Sequence, residues 1–408
     1  MFTVNQRHYS PPSRPVAVIC LDGSADEYLD CALARGFMPN LARMSVAGWR
    51  GFARAAMPTF TNVNNSSIVT GAPPSVHGIG GNFFFDTASG EEVMMNSAKF
   101  LRVQTIFPHA QRAGRKVAVV TAKEKLRDIF ADGLISEGGI AFSAEKAGQA
   151  VVKTHGIGDV EAIAGPTPAI YSGDASVYVL RAGVALLKAG RADFLYLSTT
   201  DYMQHKYAPE APEVLKFYGE LDAEIGKLLE AGAVVGVTAD HGMNAKQLPD
   251  GSPNVIYLES ELVKQFGPGF RVILPITDPY VAHHGALGSF AQVHLPAGMA
   301  AGGVRDWLLQ RPGVTECHDR KTAARLMELP EDRMGDLVVA SARDVVLGRT
   351  PEYHDLKALA GALRSHGGRY EEMVPLVFSE PLNAEYAARV LGDVRNFDVF
   401  EITCNGTH

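Results

Sequence analysis

Residues Val234–Ala245 read VVGVTADHGMNA, an apolar run that ends abruptly at Asp240 and His241. Continuous apolar runs of this length are typical of parallel strands that helices cover on both faces. In sheets of that kind, ligands bind just beyond the carboxyl ends of the strands. The stretch therefore predicts a buried strand at Ala233–Thr238, and it places a carboxylate and an imidazole where such a sheet presents its binding residues.

Four other apolar runs have the same character. They are VAVIC at Val16–Cys20, VAVV at Val117–Val120, FLYLS at Phe194–Ser198 and VPLVFS at Val374–Ser379. Helical patterns separate the runs, and one of these patterns, PEVLKFYGELDAEIGKLLEAG, ends in the glycine that commonly stops a helix. Because strands alternate with helices, the sequence predicts an α/β fold with a mostly parallel central sheet and helices on both faces.

Residues 262–347 have a different pattern from the rest of the chain. The segments GSFAQVHLP, VRDWLLQ, TAARLM and GDLVVASA indicate the short strands and helices of an α+β unit. A core-type strand and helix follow this stretch. We therefore predict that residues 1–261 and 348–408 form one core domain, and that residues 262–347 form a small inserted α+β cap.

The composition is that of a globular protein and excludes several classes of partner. Of the 408 residues, 46% are hydrophobic and 20% are charged, which suffices for a large core. The net charge of -7 and the lack of a basic run argue against nucleic acid. No apolar run reaches the roughly 18 residues of a membrane span, and the first residues lack a signal-peptide pattern. We therefore expect a soluble cytoplasmic protein with no membrane contact.

Chemically active side chains follow four of the five predicted strands. In chain order they are Asp22, then Lys123 and Lys125, then Asp201 and His205, then Asp240 and His241. Carboxylate oxygens and imidazole nitrogens are the usual non-cysteine ligands of zinc. The spacing of Asp201 and His205 would place both side chains on one face of a helical turn.

Each of these residues also has an ordinary structural interpretation. An aspartate after a strand is often a helix N-cap, and an aspartate four residues before a histidine often lies on a solvated helix face. The same residue types at three strand ends, however, favour a metal site. We expect zinc at this site. Aspartate and histidine ligands also bind Mn²⁺ or Fe²⁺, so the identity of the metal stays open.

A further segment with chemical potential is Met57–Asp86, which reads MPTFTNVNNSSIVTGAPPSVHGIGGNFFFD. A threonine that begins the helix-like stretch NVNNSSIVTG would have its hydroxyl near the positive end of the helix dipole. A metal beside such a hydroxyl makes it a nucleophile. The alternative is a threonine that only caps the helix.

This segment resembles the nucleophile region of the alkaline phosphatase superfamily, in its nucleotide pyrophosphatase/phosphodiesterase-like branch. The shared elements are a P-T-x-T stretch, a T-G, an H-G-I and an Asn. The resemblance implies that Thr61, and not Thr59, is the nucleophile and that Asn82 binds the phosphoryl oxygens. One element differs from the pattern of this branch: the chain has NVNN after the nucleophile, where the branch often has F-P-N-H. We interpret His77 in the H-G-I element as structural.

The resemblance extends over nearly the whole chain. LDG near the N-terminus, D-x-x-x-H, D-H-G-M and a late H-G-G within LRSHGG occur in the order of the superfamily. The match implies an alkaline phosphatase-like core with two Zn²⁺ per subunit. One zinc would be held by Asp201, His205 and His366. The other would be held by Asp22, Asp240, His241 and the oxygen of Thr61.

Several segments further resemble hydrolases of this superfamily that cleave the C–P bond of phosphonoacetate. They are SIVTGAPPSVHGIGGNFFFD, VVTAKEKLRD, STTDYMQHK, TADHGMNAK and ITDPYVAHHGALGS. This resemblance implies a small-molecule phosphonate substrate, a phospho-threonine intermediate and a role in phosphonate catabolism. It also assigns Lys123, Lys125 and His205 to substrate binding, since lysines at alternate positions can both reach one carboxylate. Without it, the two lysines would be interpreted as surface residues that begin a helix.

The same residues are also compatible with other functions. A phosphodiesterase or phosphomonoesterase would share the metals and the nucleophile, and a phosphosugar mutase would differ in its pocket. A metal-binding protein without activity is a third alternative, although the intact Thr61 and the complete ligand set argue against it. The sequence also leaves open whether the chain forms a homodimer, and whether His283 and His284 line the pocket or only pack.

Overall fold

The computed structural model describes residues 1–276, 286–359 and 362–407. The strands are β1 (Phe2–Val4), β2 (Arg7–Tyr9), β3 (Val16–Cys20), β4 (Trp49–Arg54), β5 (Phe83–Asp86), β6 (Glu91–Met94), β7 (Val117–Thr121), β8 (Ile140–Ser143), β9 (Phe194–Ser198), β10 (Val234–Thr238), β11 (Asn244–Ala245), β12 (Val255–Tyr257), β13 (Arg271–Ile273), β14 (Phe290–His294), β15 (Val314–Asp319), β16 (Leu337–Ser341), β17 (Val346–Gly348), β18 (Arg364–Ser365) and β19 (Met373–Phe378).

The helices lie between these strands and after the last one. They are α1 (Asp26–Ala34), α2 (Pro39–Ala47), α3 (Thr61–Thr70), α4 (Pro74–His77), α5 (Ile106–Arg112), α6 (Glu124–Phe130), α7 (Val152–His155), α8 (Val160–Ala164), α9 (Gly173–Lys188), α10 (Tyr202–Lys206), α11 (Pro212–Glu230), α12 (Leu258–Phe266), α13 (Ala301–Leu308), α14 (Arg320–Met327), α15 (Ala384–Arg389) and α16 (Val399–Asn405).

A seven-stranded sheet in the order β4-β19-β10-β3-β9-β7-β8 forms the centre of the molecule. Strands β10, β3, β9, β7 and β8 run parallel to one another, so the predicted α/β fold with a mostly parallel sheet is confirmed. The two outermost strands, β4 and β8, were not predicted. Strand β4 is only partly buried and β8 has four residues, so neither shows the longer apolar run that marks a central strand.

One predicted strand runs in the opposite direction to the expectation. The run Val374–Ser379 was interpreted as a parallel strand, but β19 pairs antiparallel with both β10 and β4. The chain reaches β19 directly after His366, and that residue lies at the carboxyl edge of the parallel strands, where it contacts Asp201. A strand that begins at this edge must run back against its neighbours, so its direction depends on the position of the preceding loop.

Helices cover both faces of the sheet, as predicted. In β3, Ala17 and Ile19 belong to one hydrophobic cluster, which includes residues of α9 and α11. Val16 and Val18 belong to a second cluster on the other face, which includes residues of α5 and α16. Because successive side chains of a strand point to opposite faces, burial on both faces requires an uninterrupted apolar run.

A second sheet of four antiparallel strands, in the order β13-β14-β16-β15, lies within the segment predicted as a cap. It shares a hydrophobic cluster with α12, α13 and α14, and also with Phe60 and Val63 at the start of α3. The chain enters and leaves this region through the parallel pair β12 and β17. The boundaries at residues 262 and 347 stay a prediction.

Within the three described ranges, no helix combines the length and the apolar character that crossing a bilayer requires.

Candidate active site

The parallel strands end level with one another at one edge of the sheet. Thr238 pairs with Cys20, Cys20 pairs with Ser198, and Ser198 pairs with Thr121. The residues that follow these four positions therefore emerge side by side. In this way the register of the sheet brings together the side chains that the sequence predicted at four separate strand ends.

Asp201, His205 and His366 form the first buried cluster of metal-ligand type. Oδ2 of Asp201 lies 2.9 Å from Nε2 of His205 and 3.6 Å from Nε2 of His366. Asp201 precedes α10, but its side chain makes no capping hydrogen bond to that helix. The ordinary N-cap interpretation of Asp201 therefore does not hold, and its carboxylate is directed at the two histidines.

Asp22, Asp201 and His241 form the second buried cluster, so Asp201 belongs to both. Oδ1 of Asp22 lies 3.3 Å from Nε2 of His241. Asp240 was predicted for this set, and its Oδ2 lies 3.7 Å from the same Nε2. Its other oxygen, Oδ1, accepts hydrogen bonds from the backbone N–H groups of Gly23 and His241. Asp240 thus lies at the border of the cluster, and Asp201 connects the two clusters.

The three histidines share one orientation. Each ring has its Nδ1 within hydrogen-bond distance of a backbone carbonyl, which can only accept. The pairs are His205 with Arg364 at 2.8 Å, His241 with Gly242 at 2.9 Å, and His366 with Thr59 at 2.7 Å. Nδ1 therefore carries a proton in each ring, and Nε2 faces the carboxylates. With Nδ1 held in this way, Nε2 is the nitrogen available to a metal.

The buried carboxylates of the site favour the binding of a cation. Burial raises the pKa of Asp22 well above its usual value, and the carboxylates of Asp201 and Asp240 raise it further. Neither oxygen of Asp22 accepts a hydrogen bond from the residues that the structure describes. Burial disfavours a charged His241, yet Asp240 and Asp22 raise its pKa to about 10. An unsatisfied buried carboxylate among imidazoles fits a divalent metal ion.

Thr61 is the first residue of α3, and Phe60, not Thr61, occupies the N-cap position. The Thr61 hydroxyl lies 3.3 Å from Nε2 of His241 and is almost completely buried. Thr59 is engaged elsewhere, since its hydroxyl donates to the Gly368 carbonyl and accepts from the Gly367 N–H. Of the two threonines, Thr61 is the one directed at the metal-ligand clusters.

Asn82 lies against the first turn of the same helix. Its Oδ1 is 3.3 Å from the backbone N–H of Asn62, the residue after Thr61. The Asn82 N–H donates to the Pro275 carbonyl, which connects this residue to the four-stranded region. The side-chain amide of Asn82 and the first N–H groups of α3 are therefore close to the Thr61 hydroxyl.

Lys123 and Lys125 line a common cavity of about 300 Å³. Lys123 directly precedes α6, and its Nζ lies 3.8 Å from Oδ1 of Asp201. Its side chain is only 20% exposed, which is low for a surface lysine. Met94 and Tyr171 contribute to the apolar part of the cavity wall. Lys123 therefore lies between the metal-ligand clusters and the cavity that Lys125 also lines.

Asn65 was not predicted as a site residue, yet it holds the Asp240 carboxylate in place. Its Oδ1 accepts hydrogen bonds from the hydroxyls of Tyr196, at 2.6 Å, and Ser198, at 2.8 Å. Its amide must then point the other way, and it donates to Oδ2 of Asp240 at 3.0 Å. Asn65 lies four residues after Thr61 on α3, within the NVNN departure, and this helical spacing was the available signal.

The remaining histidines of interest have different outcomes. His77 is fully buried, and its Nδ1 accepts a hydrogen bond from the Ile79 N–H while its Nε2 contacts the Ser67 hydroxyl. These contacts agree with a structural role. His283 and His284 lie outside the described residues, so the choice between pocket lining and packing stays open.

The fold and this site together define the class of protein. A mostly parallel sheet that presents buried aspartate–histidine clusters and a helix-initial threonine at its carboxyl edge is the arrangement of alkaline phosphatase-like enzymes. The chain belongs to the type I phosphodiesterase / nucleotide pyrophosphatase family, which it matches over residues 16–367.

Solved structures show two levels of similarity. Phosphonoacetate hydrolase from Sinorhizobium meliloti 1021, solved with phosphonoformate and with phosphonoacetate, is 46% identical with a TM-score of 0.94. That match covers 100% of this chain and 99% of the other. Murine ectonucleotide pyrophosphatase / phosphodiesterase 5 is 19% identical with a TM-score of 0.60, and the match covers 90% of this chain and 88% of the other. The second likeness shows the fold alone.

Other relatives match part of this chain. Venom phosphodiesterase of Naja atra is 28% identical over 57% of this chain. Ectonucleotide pyrophosphatase/phosphodiesterase family member 3 of Bos taurus is 26% identical over 56% of it. The chain spans 26% and 25% of the length of these two relatives, so they extend well beyond the shared region.

Proposed function

We propose that this chain is a di-zinc hydrolase that cleaves the C–P bond of phosphonoacetate to give acetate and phosphate. The observation that carries the proposal is the full-length, 46% identical similarity to a phosphonoacetate hydrolase solved with phosphonoacetate. The position of Lys123 beside the shared carboxylate Asp201 supports it, since a substrate with a second anionic group needs a cation there.

The two zinc ions are assigned to the two clusters. One set consists of Asp201, His205 and His366, and the other consists of Asp22, Asp240, His241 and the oxygen of Thr61. When bound, zinc supplies positive charge that lowers the pKa of a neighbouring hydroxyl and stabilises charge on the phosphonate. The chain contributes fixed imidazoles, because each ring is oriented by a backbone carbonyl.

In the reaction we propose, the Thr61 oxygen attacks phosphorus and forms a phospho-threonine. Asn82 and the Thr61 backbone N–H donate to phosphoryl oxygens, where the start of α3 favours negative charge. The Thr61 hydroxyl loses its proton as the P–O bond forms and the C–P bond breaks. The C–P bonding electrons leave on the acetate carbon as an enolate, which takes up one proton and so balances the one that Thr61 lost. Water then hydrolyses the phospho-threonine and regenerates the Thr61 hydroxyl.

Lys123 and Lys125 are assigned to the substrate carboxylate. His205 was expected to bind substrate as well, but its Nδ1 lies on the Arg364 carbonyl and its Nε2 faces Asp201, so we assign it to the metal alone. A C–P bond breaks readily only when the leaving carbanion is delocalised, and here the carboxylate receives that charge. Cations held beside the carboxylate oxygens therefore bind the developing enolate more strongly than the substrate, and this difference accelerates the reaction.

The alternative is a phosphodiesterase or phosphomonoesterase that uses the same site. Membership of the type I phosphodiesterase / nucleotide pyrophosphatase family supports this broader class of phosphoryl hydrolase. The two activities differ in what they require of the lysines. An ester with a neutral leaving group gains little from Lys123 and Lys125, whereas phosphonoacetate depends on them. A phosphosugar mutase has no specific observation in its favour.

The test is phosphate release from phosphonoacetate by the zinc-loaded protein, beside an aryl phosphodiester and an aryl phosphomonoester. We expect turnover of phosphonoacetate that Thr61→Ala abolishes. Thr70→Ala is the matched control, because Thr70 ends the same helix and its hydroxyl donates to the Ser66 and Ser67 carbonyls of that helix. Ester turnover without phosphonoacetate turnover would reject the substrate assignment.

A further inference from the structure

Lys246 and Glu371 form an ion pair that the proposed chemistry does not use. Nζ of Lys246 lies 2.8 Å from Oε1 of Glu371, and both side chains are completely buried. Burial lowers the pKa of Lys246, and Glu371 opposes that effect. A buried pair costs so much desolvation that apolar residues often replace it without loss of stability. Stability therefore does not explain why this ion pair is present.

The lysine connects the segment after His241 to the segment before His366. Lys246 directly follows β11, which pairs with β18, and β18 ends immediately before His366. The Lys246 N–H donates to the Leu363 carbonyl at 2.9 Å. Its Nζ also donates to the Arg343 carbonyl at 2.7 Å, just after β16 of the second sheet. One side chain thus joins both ligand-bearing segments to the neighbouring region.

The glutamate completes the connection from the other side. Glu371 lies five residues after His366, and its Oε2 accepts a hydrogen bond from the Gly368 N–H at 3.0 Å. Its Oε1 accepts from the Asn244 side-chain amide at 2.7 Å. Its backbone carbonyl accepts from the N–H of Gly242, the residue next to His241, at 2.8 Å. The loops that follow His241 and His366 are therefore both hydrogen-bonded to Glu371.

The two histidines joined in this way are in direct contact. The rings of His241 and His366 stack with centroids 3.6 Å apart and an angle of 6° between their planes. They belong to different metal-ligand clusters. A change in the separation of the two loops would therefore alter both clusters together.

We propose that Lys246 and Glu371 are positioning residues that hold the His241 and His366 loops at the separation that binding of two metal ions requires. The inference rests on the metal sites of the proposed function. Metal ligands must be held within about 0.5 Å of their productive geometry, and loss of an outer contact typically costs about 10- to 100-fold in metal affinity.

The decisive variant is Glu371→Gln, which keeps the shape of the side chain and removes its charge. We expect its zinc affinity, measured by competition with a chromogenic chelator, to fall about 10-fold or more. We also expect the absorption bands of the cobalt-substituted protein to change. Circular dichroism reports whether the variant is folded.

Asp222→Asn is the matched control. Asp222 is also a buried carboxylate that accepts backbone N–H groups, from Asn40 and Leu41, but it holds α2 against α11 and neither helix carries a candidate ligand. We expect this variant to lose stability and to keep wild-type zinc affinity. Equal losses of affinity in the two variants would reject a positioning role, because both would then reflect general destabilisation.

A double variant, Lys246→Met with Glu371→Gln, guards against misfolding of the single one. It leaves no unpaired buried charge, so its melting temperature should exceed that of Glu371→Gln. We expect its zinc affinity to stay below that of the wild type, and wild-type affinity in either folded variant would overturn the proposal. The zinc titration uses no substrate, so absence of phosphonoacetate turnover would count only against the proposed function.

Discussion

Nζ of Lys123 lies 3.8 Å from Oδ1 of Asp201, the carboxylate that both metal-ligand clusters share. Burial alone would raise the pKa of Asp201, but His205 and Lys123 outweigh it and hold that pKa well below its usual value. The lysine therefore joins the metal-ligand residues to the cavity in which we place the substrate carboxylate.

Replacing Lys123 should separate the two candidate activities. For Lys123→Met we expect phosphonoacetate turnover to fall about 100-fold, the typical effect of losing one group that stabilises transition-state charge. Turnover of an aryl phosphodiester should change much less. Lys216→Met is the control, because the Lys216 side chain is 78% exposed on α11. Equal losses on both substrates would instead assign Lys123 to the metal site.

Asn65 should control metal affinity without touching substrate. Asn65→Leu removes the amide that donates to Asp240 and leaves the Tyr196 and Ser198 hydroxyls without their acceptor. We expect zinc affinity to fall about 10- to 100-fold, the typical effect of losing a group that holds a metal ligand in place. Chelator competition measures this, with Asn40→Ala as a control outside the site. Unchanged affinity would show that Asp240 needs no such support.

His77 should make stability depend on pH. Burial lowers the pKa of His77 to about 3, and Nδ1 must stay unprotonated to accept from Ile79. The unfolded chain binds a proton at this residue near pH 6.5 and the folded chain does not. Stability is therefore lost as pH falls from about 6.5 towards 3, by up to about 1.4 kcal/mol per pH unit.

The measurement for His77 is denaturant unfolding of the zinc-loaded protein between pH 7.5 and 5, compared with His77→Gln. Other groups titrate in both proteins, so the difference between the two curves isolates His77. We expect the variant to lose less stability than the wild type as the pH falls. Parallel curves would mean that His77 is protonated in the folded protein.

Removal of metal should destabilise the fold. Without a cation, Asp22 is left as a buried carboxylate without a hydrogen-bond donor among the described residues, close to Asp201 and Asp240. A metal that binds only the folded state adds about 4 kcal/mol to the free energy of unfolding when its free concentration is about 1,000 times its Kd. We therefore expect a chelator to lower the melting temperature and added zinc to restore it in a concentration-dependent manner. A melting temperature insensitive to chelator would contradict a metal bound at these clusters.

Much of the core could be read from local patterns. Five central strands were predicted within about one residue, because a strand buried on both faces must be continuously apolar. The ligand types at the strand ends were equally visible, since Asp22, Asp201 and Asp240 each follow such a run. His366 has no such run before it, so only the resemblance to a known superfamily pointed to it.

Other features depended on contacts between distant segments. The direction of β19 follows from the position of the loop before it, and the sharing of Asp201 follows from the register of three strands. Lys246 and Glu371 are 125 residues apart, and no local pattern relates them. Apolar periodicity is a property of neighbouring residues, so the chain alone specifies its strands and their ligand types. Distances between side chains arise when the sheet pairs in one register, so the grouping of those ligands belongs to the folded molecule.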